Sequence, residues 1–224
     1  MKPILFLIIF FGHLTLQAQD IPKDINLSKL SEAIGHNIAK SLKESLSSID
    51  ITKVCQGIQD EVAGKPSPLS DEEFQNQMLL LQTQVFLESA KTNLDEANAF
   101  LLKNSKEKGV QEIIPQKLQY KIIKEGNGPF IKEHSNPSIT YQGTFVDGTV
   151  FGSSVDEEPV TLSLDQTIPG FSKGLVGAKE GEQRILYVHP DLAYGTSGQL
   201  PPNKALIFTI DVIKADESED KSEK

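Results

Sequence analysis

Aromatic side chains at strand-like spacing are the residues of this sequence best suited to forming a site. Within Thr140–Ser154, Tyr141 and Phe145 precede an Asp147-Gly148 pair and Phe151 follows it. Apolar and polar residues alternate before this pair with the period of a half-buried strand, and Asp-Gly is typical of a type I′ hairpin turn. Such a hairpin is often plain structure, but its rings can also line an apolar site that excludes water from a bound group.

Polar residues with catalytic potential form no recognisable motif. His134 and His189 lack a nucleophile motif, the sequence has no H-E-x-x-H, and the glycines at Gly174 and Gly177 lack the Lys-Ser/Thr of a phosphate-binding loop. The single Cys55 cannot form an internal disulfide or build a zinc site alone. The sequence therefore predicts a function that needs no metal and no cofactor.

The charge of the chain argues against two kinds of partner. The sequence has 22 basic and 31 acidic residues, a formal net charge of −9, and a lone arginine at Arg184. No basic stripe is available to neutralise phosphates, so we predict no nucleic-acid partner and no binding to an anionic membrane surface.

Further motifs follow the hairpin in a fixed order. They are Thr167–Phe171, Val188–Gly195, Leu200–Asn203 and Leu206–Phe208. Together with the hairpin, the run 138–213 resembles an FKBP-type peptidyl-prolyl cis-trans isomerase domain. With the helical stretch before it, the chain resembles the Mip-like macrophage infectivity potentiator proteins of Gram-negative bacteria. Its sequence resembles the chlamydial members most. The resemblance implies an enzyme that isomerises X-Pro bonds and assists the folding of exported, proline-containing polypeptides.

The resemblance also implies the residues of the site. It places Phe171 as the floor beneath the proline ring, and it assigns the backbone N–H of Ile168 and the hydroxyl of Tyr194 to the flanking substrate carbonyls. The catalytic set it implies is Tyr141, Phe151, Ile168, Phe171, Tyr194 and Phe208, and the substrate-binding set is Val160, Leu162 and Leu200. For each of these residues the alternative interpretation is core packing.

The sequence departs from the family pattern at two positions. Phe171 stands where most active members have tryptophan, and Gly152 follows Phe151 where most have aspartate. We therefore expect weakened binding of macrolide inhibitors and slower catalysis. The alternative function is a dimeric periplasmic or surface chaperone, or a virulence-type binding module, with weak isomerase activity.

Two amphipathic helices are predicted between Ile25 and Ala63, from apolar residues at helical spacing. The predicted break lies at 45–50, where Asp50 can cap the second helix. Two short helices make too small a core to be stable alone, so residues 25–64 are predicted to form a homodimer.

A long connecting helix is predicted at 70–109, opened by a Ser70–Glu73 capping box. Its first apolar stripe runs from Phe74 to Val85. A second, alanine-rich stripe is shifted in phase and is interpreted as the face of a partly exposed rod. The second stripe consists of Leu87, Ala90, Leu94, Ala97 and Leu101.

The C-terminal part predicts an α+β fold, in which an antiparallel FKBP-like sheet wraps on one short helix. The isomerase domain is predicted at 112–214, followed by a disordered acidic tail at 215–224. The predicted elements are strands at 118–122, 139–145, 160–164, 183–189 and 205–213 and a helix at 170–178.

The N-terminus has the layout of a secretory signal peptide, predicted at 1–18. Lys2 precedes an apolar run, Ile4–Phe11, and cleavage is expected after Ala18. The mature protein is expected in the periplasm, with outer-membrane or surface association as a further option. No cysteine follows the apolar run, so no lipobox is present.

Overall fold

The computed structural model describes residues 24–45 and 48–217, and the chain divides into two compact units, 1–85 and 86–224. The described part of the first unit is helical, and the second unit is built on an antiparallel sheet, which confirms the predicted α+β class. The predicted signal peptide lies outside the described residues. Among the described helices, none combines the length and apolar character that a membrane crossing requires.

Local capping chemistry fixes the start of the second helix. Helix α1 spans Leu27–Ser45 and helix α2 spans Ile51–Val62. The side chain of Asp50 accepts hydrogen bonds from the backbone N–H groups of Thr52 and Lys53, at 2.8 and 3.3 Å. These bonds satisfy donors that a helix leaves free in its first turn. The predicted break and its cap are confirmed.

A capping box opens the long helix α3, Asp71–Asn104. The backbone N–H and the hydroxyl of Ser70 donate to the Glu73 carboxylate at 2.9 and 2.8 Å, and the Glu73 N–H donates to Ser70 Oγ at 3.3 Å. The two bonds from Ser70 lower the pKa of Glu73. The helix ends earlier than predicted because turns at 105–109 lead into the first strand.

Apolar side chains of the first unit stay exposed within one chain. Leu27, Leu30, Ile34 and Ile38 of α1 are 49%, 48%, 52% and 44% exposed. Helix α2, which is described in full, has no buried residue. The stripes predicted from helical spacing are therefore present but uncovered.

The sheet of the second unit has seven strands in the order β1-β2-β6-β7-β3-β4, with β5 paired to β3. The strands are Val110–Ile114 (β1), Leu118–Lys124 (β2), Ser138–Thr144 (β3), Val150–Ser153 (β4), Val160–Thr161 (β5), Gln183–Val188 (β6) and Leu206–Lys214 (β7). Strand β5 is shorter than predicted because Leu164 begins a 3-10 turn. Strand β1 was not predicted, and it begins before the predicted domain start at residue 112.

Helix α4, Pro169–Leu175, packs closely on strand β6 through two glycines. A Cβ at Gly174 would lie 2.6 Å from Leu186 Cδ1, and a Cβ at Gly170 would collide with Val188. Side chains larger than hydrogen at these positions would push the helix off the sheet. The helix ends before the predicted residue 178 because Val176 has an extended backbone, with φ −56° and ψ 129°.

The C-terminal half of α3 belongs to the second unit and packs against its other elements. Its buried residues are Ala90, Asn93, Ala97, Leu101 and Asn104. The interpretation of the second stripe as a partly exposed rod is therefore wrong at Ala90, Ala97 and Leu101, although Leu87 is 60% exposed. The stripe is buried because two asparagines complete it and find hydrogen-bond partners on the sheet unit.

The ordered chain continues past the predicted start of the acidic tail. Ala215 is 4% exposed, the N–H of Glu217 donates to Asn136 O at 3.0 Å, and Asp216 Oδ1 accepts from Asn136 N at 3.1 Å. The predicted disorder at 215–217 is thus corrected by a short backbone pairing. Residues 218–224 of the predicted tail lie outside the described residues.

Candidate functional site

Phe208, on strand β7, lies at the centre of a cluster of aromatic rings. Its ring centroid is 5.0 Å from that of Phe171, 5.6 Å from that of Phe151 and 6.5 Å from that of Tyr141. Phe171 and Phe151 meet it nearly edge-on, at interplanar angles of 80° and 90°, which the ring quadrupoles favour. We call these residues the ring cluster: Tyr141, Phe151, Phe171 and Phe208.

The β3–β4 hairpin seats Phe151 over the backbone of Gly143. A Cβ at Gly143 would lie 2.6 Å from two atoms of the Phe151 ring, so only glycine allows this approach. On its other side Phe151 contacts Phe145, at a centroid distance of 5.0 Å. A glycine and a phenylalanine therefore hold this wall of the ring cluster in place.

The turn of this hairpin differs from the predicted type I′ turn, which needs positive φ at both central residues. Gly148 has a φ of 84°, but Asp147 is not among the residues with positive φ. The N–H of Gly148 donates to Phe145 O at 3.0 Å, which closes a three-residue loop with one left-handed glycine. Thr149 N–H donates to the Asp147 carboxylate at 2.9 Å and thereby lowers the pKa of Asp147.

Ile168 is the N-cap residue of α4, and its carbonyl and its N–H differ in their hydrogen bonding. Its carbonyl accepts from the N–H groups of Phe171 and Ser172 at 3.0 and 3.1 Å. Its own N–H has no acceptor in the part of the chain that the structure describes. The side chain of Ile168 packs against the core that contains Phe171 and Phe208. A free N–H on a residue that packs against this core is suited to receiving a ligand carbonyl, because an unpaired backbone donor is costly to bury.

The remaining predicted residues differ in exposure. Leu162 and Leu200 are half-buried against the same core. Val160, paired with Ile139 across β5 and β3, is 37% exposed, and Tyr194 is 48% exposed. The structure thus joins seven of the nine predicted site residues to one core and leaves the exposed Val160 and Tyr194 outside it.

Gly152 has room for a side chain beside a ring-cluster hydroxyl. It is the Cα partner of Gly143 in the hairpin. A Cβ at Gly152 would meet Tyr141 Oη at 3.9 Å, which is ordinary van der Waals contact. A carboxylate on that Cβ would therefore stand next to the Tyr141 hydroxyl.

Two open grooves in the second unit contain none of the predicted site residues. One groove, of about 390 Å³, runs past Pro169 and Lys173 on α4 to the exposed pair of His134 and Asp165. The Nδ1–Oδ1 distance of this pair is 2.7 Å, and the hydrogen bond raises the pKa of His134. The other, of about 310 Å³, lies beside α3. Neither groove brings a pair of aromatic rings together, so the ring cluster remains the better candidate site.

Comparison with known proteins identifies both parts of the chain. Residues 128–213 match the family model described as FKBP-type peptidyl-prolyl cis-trans isomerase. Residues 27–122 match the model of the domain amino terminal to FKBP-type peptidyl-prolyl isomerase. The peptidyl-prolyl cis-trans isomerase Mip of Chlamydia pneumoniae is 49% identical over 201 residues, covering 88% of this chain and 78% of that protein. The chain belongs to the FKBP-type peptidyl-prolyl cis-trans isomerases.

The similarity to less identical relatives also covers most of the chain. The outer membrane protein MIP of Legionella longbeachae is 33% identical, covering 83% of this chain and 84% of that protein. The crystal structure of FkpA from Escherichia coli matches with a TM-score of 0.64 at 30% identity, covering 84% of this chain and 95% of that one. The predicted resemblance to the Mip-like proteins and the predicted enzyme class, a peptidyl-prolyl cis-trans isomerase acting in protein folding, are confirmed.

A polar cluster around the buried His189 of the isomerase was not predicted. The His189 ring is fully buried, accepts from the Asp191 N–H at 3.1 Å through Nδ1, and lies 3.1 Å from Asn98 Oδ1 through Nε2. Burial, and then the nearby Lys117 ammonium, lower the pKa of His189. The hydrogen bond from Lys117 Nζ, at 2.7 Å, lowers the pKa of Asp191.

The sequence carried one signal for this cluster. Asn93 and Asn104 are buried on helix α3, and the exposed Asn98 of the same helix contacts the buried His189. Buried asparagines are uncommon unless they are hydrogen-bonded, so amides within an apolar stripe indicate specific partners. Their partners lie up to 109 residues away, which the helix pattern does not encode.

Proposed function

We propose that the ring cluster is the pocket in which the X-Pro peptide bond is twisted. The observation that carries this proposal is the unpaired N–H of Ile168, a residue that packs against the core containing Phe171 and Phe208. A prolyl substrate presents an apolar ring and, next to it, carbonyl groups that lose water on binding. The aromatic floor and the adjacent donor provide for both requirements at one place.

Desolvation supplies the catalytic effect of such a pocket. The barrier to rotation is about 18–20 kcal/mol and comes from amide resonance. The planar amide is charge-separated and is the form that water solvates best. An apolar pocket that removes this water, and that fits the twisted amide, stabilises the transition state more than the ground state. No proton transfer, metal or cofactor is needed for this reaction.

The site residues divide into a floor, walls and a rim. Phe171 and Phe208 form the floor, at 5% and 6% exposure. Tyr141 and Phe151 form the walls, and the exposed Tyr194 hydroxyl donates to a second substrate carbonyl. The residues flanking proline in the substrate contact the apolar rim formed by Val160, Leu162 and Leu200.

Truncation of the floor tests this assignment. We expect Phe171→Ala to lower kcat/KM by more than Tyr194→Ala, which itself costs about tenfold through a lost substrate hydrogen bond. The measurement is a protease-coupled proline-peptide assay on the mature chain. Phe130→Ala is the matched control, because Phe130 is 56% exposed and makes no ring contact with the cluster. Equal rates for wild type and a folded Phe171→Ala variant would show that the ring cluster is not the active site.

We also propose that the mature isomerase is a homodimer through residues 25–64. The supporting observation is the exposure of the apolar face of α1, because a second copy would bury Leu30, Ile34 and Ile38. Light scattering at micromolar concentration is expected to give the mass of two chains. A monomer under those conditions would contradict the proposal.

A second candidate function is that of a chaperone or virulence-type binding module whose isomerase activity is weak. Gly152 removes a carboxylate from the site, and exposed apolar residues on the first unit, such as Phe74 and Leu80, can bind unfolded chains. An aggregation assay separates the two functions. Under the chaperone proposal the Phe171→Ala variant protects an unfolding client as well as wild type does.

We also propose that the protein is exported. The N-terminal signal pattern supports export to the periplasm or the outer membrane, which agrees with the name of the Legionella relative. Cell fractionation and N-terminal sequencing test both the location and the cleavage after Ala18.

We expect macrolides of the type that binds FKBP pockets to bind weakly, because Gly152 offers no carboxylate. Calorimetric titration measures this affinity.

A further inference from the structure

The chain between strands β6 and β7 carries two of the proposed site residues, Tyr194 and Leu200. Its only regular element is a 3-10 turn at Pro190–Leu192 within this described segment. A connection of this length without a hydrogen-bonded ladder needs other contacts to hold one conformation. Those contacts come from helix α3.

Two side-chain amides join α3 to the end of this segment. Asn93 Nδ2, on the helix, donates to Pro202 O at 2.7 Å, and Asn203 Nδ2, on the segment, donates to Ala90 O of the helix at 3.0 Å. Asn93 is 7% exposed, so its amide is shielded from water. Hydrogen bonds that run in both directions fix the segment on the helix.

Asn203 also connects the helix to the residue that follows Tyr194. Its backbone N–H donates to Gly195 O at 2.7 Å while its side chain is held by Ala90. Its φ of 55° is left-handed, a conformation that asparagine tolerates better than most residues. The position of Asn203 on α3 therefore sets the position of Gly195, and through it the direction of Tyr194.

The same helix holds the start of the segment. Asn98 Oδ1 lies 3.1 Å from Nε2 of the buried His189, whose Nδ1 accepts from Asp191 N–H. The two ring nitrogens of His189 thus contact Asn98 on the helix and the Asp191 N–H on the segment. The stretch that contains Tyr194 and Leu200 is thus anchored to α3 at both ends.

We propose that Asn93 and Asn203 are positioning residues for prolyl isomerisation, which hold the Tyr194–Leu200 wall in its substrate-binding conformation. The inference rests on the proposed site, since it takes Tyr194 and Leu200 to contact substrate. Neither asparagine reaches the ring cluster. Their effect is exerted through the backbone of the segment that they anchor.

Two variants of the full mature chain remove the anchors with little change in shape. Asn93→Asp is isosteric but cannot donate to the Pro202 carbonyl. Asn203→Gly removes the amide and keeps a residue that accepts the left-handed backbone. We expect each variant to raise KM about fivefold, with a smaller change in kcat. The reason is that losing one hydrogen bond lowers the population of the substrate-binding conformation of the Tyr194–Leu200 wall by about that factor.

Phe100→Ala is the matched control on the same helix. Phe100 packs on Tyr187 of β6, at a centroid distance of 5.9 Å, and so stabilises the helix without holding the segment. A variant that merely unfolds part of the sample lowers kcat and leaves KM unchanged. Amide hydrogen exchange gives a second readout, in which the two variants lose protection at the backbone amide of position 203 while strand β7 keeps its protection.

The arms of the experiment separate the possible failures. Wild-type KM for Asn93→Asp and Asn203→Gly, with an impaired Tyr194→Ala, would overturn the positioning role alone. Wild-type kinetics for Tyr194→Ala as well would overturn the proposed rim and this inference together. An equal rise in KM for Phe100→Ala would show that general helix docking, rather than the two asparagines, controls the wall.

Discussion

Gly143 and Gly152 face each other across the β3–β4 hairpin, yet they have opposite steric surroundings. A Cβ at Gly143 would come within 2.6 Å of the Phe151 ring, whereas a Cβ at Gly152 would be 3.9 Å from Tyr141 Oη. The first glycine is required by the packing of the ring cluster. The second is not, so its consequence for this enzyme is chemical rather than steric.

Replacing Gly152 with aspartate is predicted to increase activity. The new carboxylate would stand beside the Tyr141 hydroxyl and add a fixed charge to a desolvated pocket, where fixed charges act strongly. We expect Gly152→Asp to raise kcat/KM about threefold, less than the loss caused by Phe171→Ala, because the carboxylate refines the site while the rings form it. The protease-coupled assay measures both.

A double-mutant cycle controls for indirect effects of this substitution. Tyr141→Phe removes the hydroxyl without removing the ring, so the gain from Gly152→Asp should disappear in the Tyr141→Phe background. Gly152→Asn fits the same space without a charge and is expected to give little gain. An unchanged rate for Gly152→Asp would mean that this position does not influence the reaction.

Residue-scale predictions from the sequence succeeded where the chemistry is local. The Asp50 cap and the Ser70–Glu73 box depend on groups two or three residues apart, and both form as expected. The predicted turn type was wrong, because an Asp-Gly pair also fits a three-residue loop with one left-handed glycine. The meeting of Phe151, Phe171 and Phe208 came from the family resemblance, since no local pattern brings residues of three different elements together.

At the scale of elements, the errors have two causes, which are an irregular edge strand and contacts with distant parts of the chain. Strand β1 is an edge strand whose register shifts between Glu112 and Ile114, so its sequence lacks a regular alternation. The buried half of α3 relies on Asn93 and Asn104, which apolar periodicity ignores. Asn104 donates to the buried Gln119 at 2.9 Å, and Gln119 donates in turn to Leu101 O at 2.8 Å.

The docking of α3 is predicted to depend on pH through His189. Its pKa is lowered from 6.5 by burial and by Lys117, so the folded protein binds fewer protons there than the unfolded chain. The resulting stability is fully present above about pH 6.5 and is lost as the pH falls below it. We expect the free energy of unfolding of the second unit to decrease between about pH 7 and pH 5, and to decrease less in His189→Gln. Urea titrations across this window measure it.

His134 provides a control of opposite sign. Its pKa is raised by Asp165, so its stabilising effect is present below about pH 6.5 and is lost as the pH rises. His134→Gln should therefore not reduce the decrease in stability on acidification. The carboxyl groups of Asp147 and Asp191 have lowered pKa values and stay ionised throughout this window. A pH dependence that is the same in His189→Gln and wild type would contradict the assignment to His189.

At the scale of the whole molecule, the two units differ in how completely they bury their own apolar residues. In the second unit Leu118, Ile139, Leu186 and Ile210 have no exposed surface. In the first unit Val62 is 86% exposed. The sequence indicated this contrast correctly, because helix length and stripe width are local properties. The position at which one unit gives way to the other could not be read from it, since α3 continues through that point.

The last prediction concerns a separately produced second unit. A chain of residues 86–217 should fold as a monomer and keep isomerase activity, because it retains the buried face of α3 and all seven strands. The predicted boundary at residue 112 would instead cut β1 and remove Leu101, whose burial alone contributes about 1.5–3 kcal/mol. It would also leave Gln119 without two of its hydrogen-bond partners. We therefore expect a chain of residues 112–217 to unfold at a clearly lower urea concentration than 86–217, with light scattering to compare their masses. Equal midpoints for the two chains would show that α3 adds no stability to the sheet unit, and the anchoring of the Tyr194 segment on that helix would then lose its physical basis.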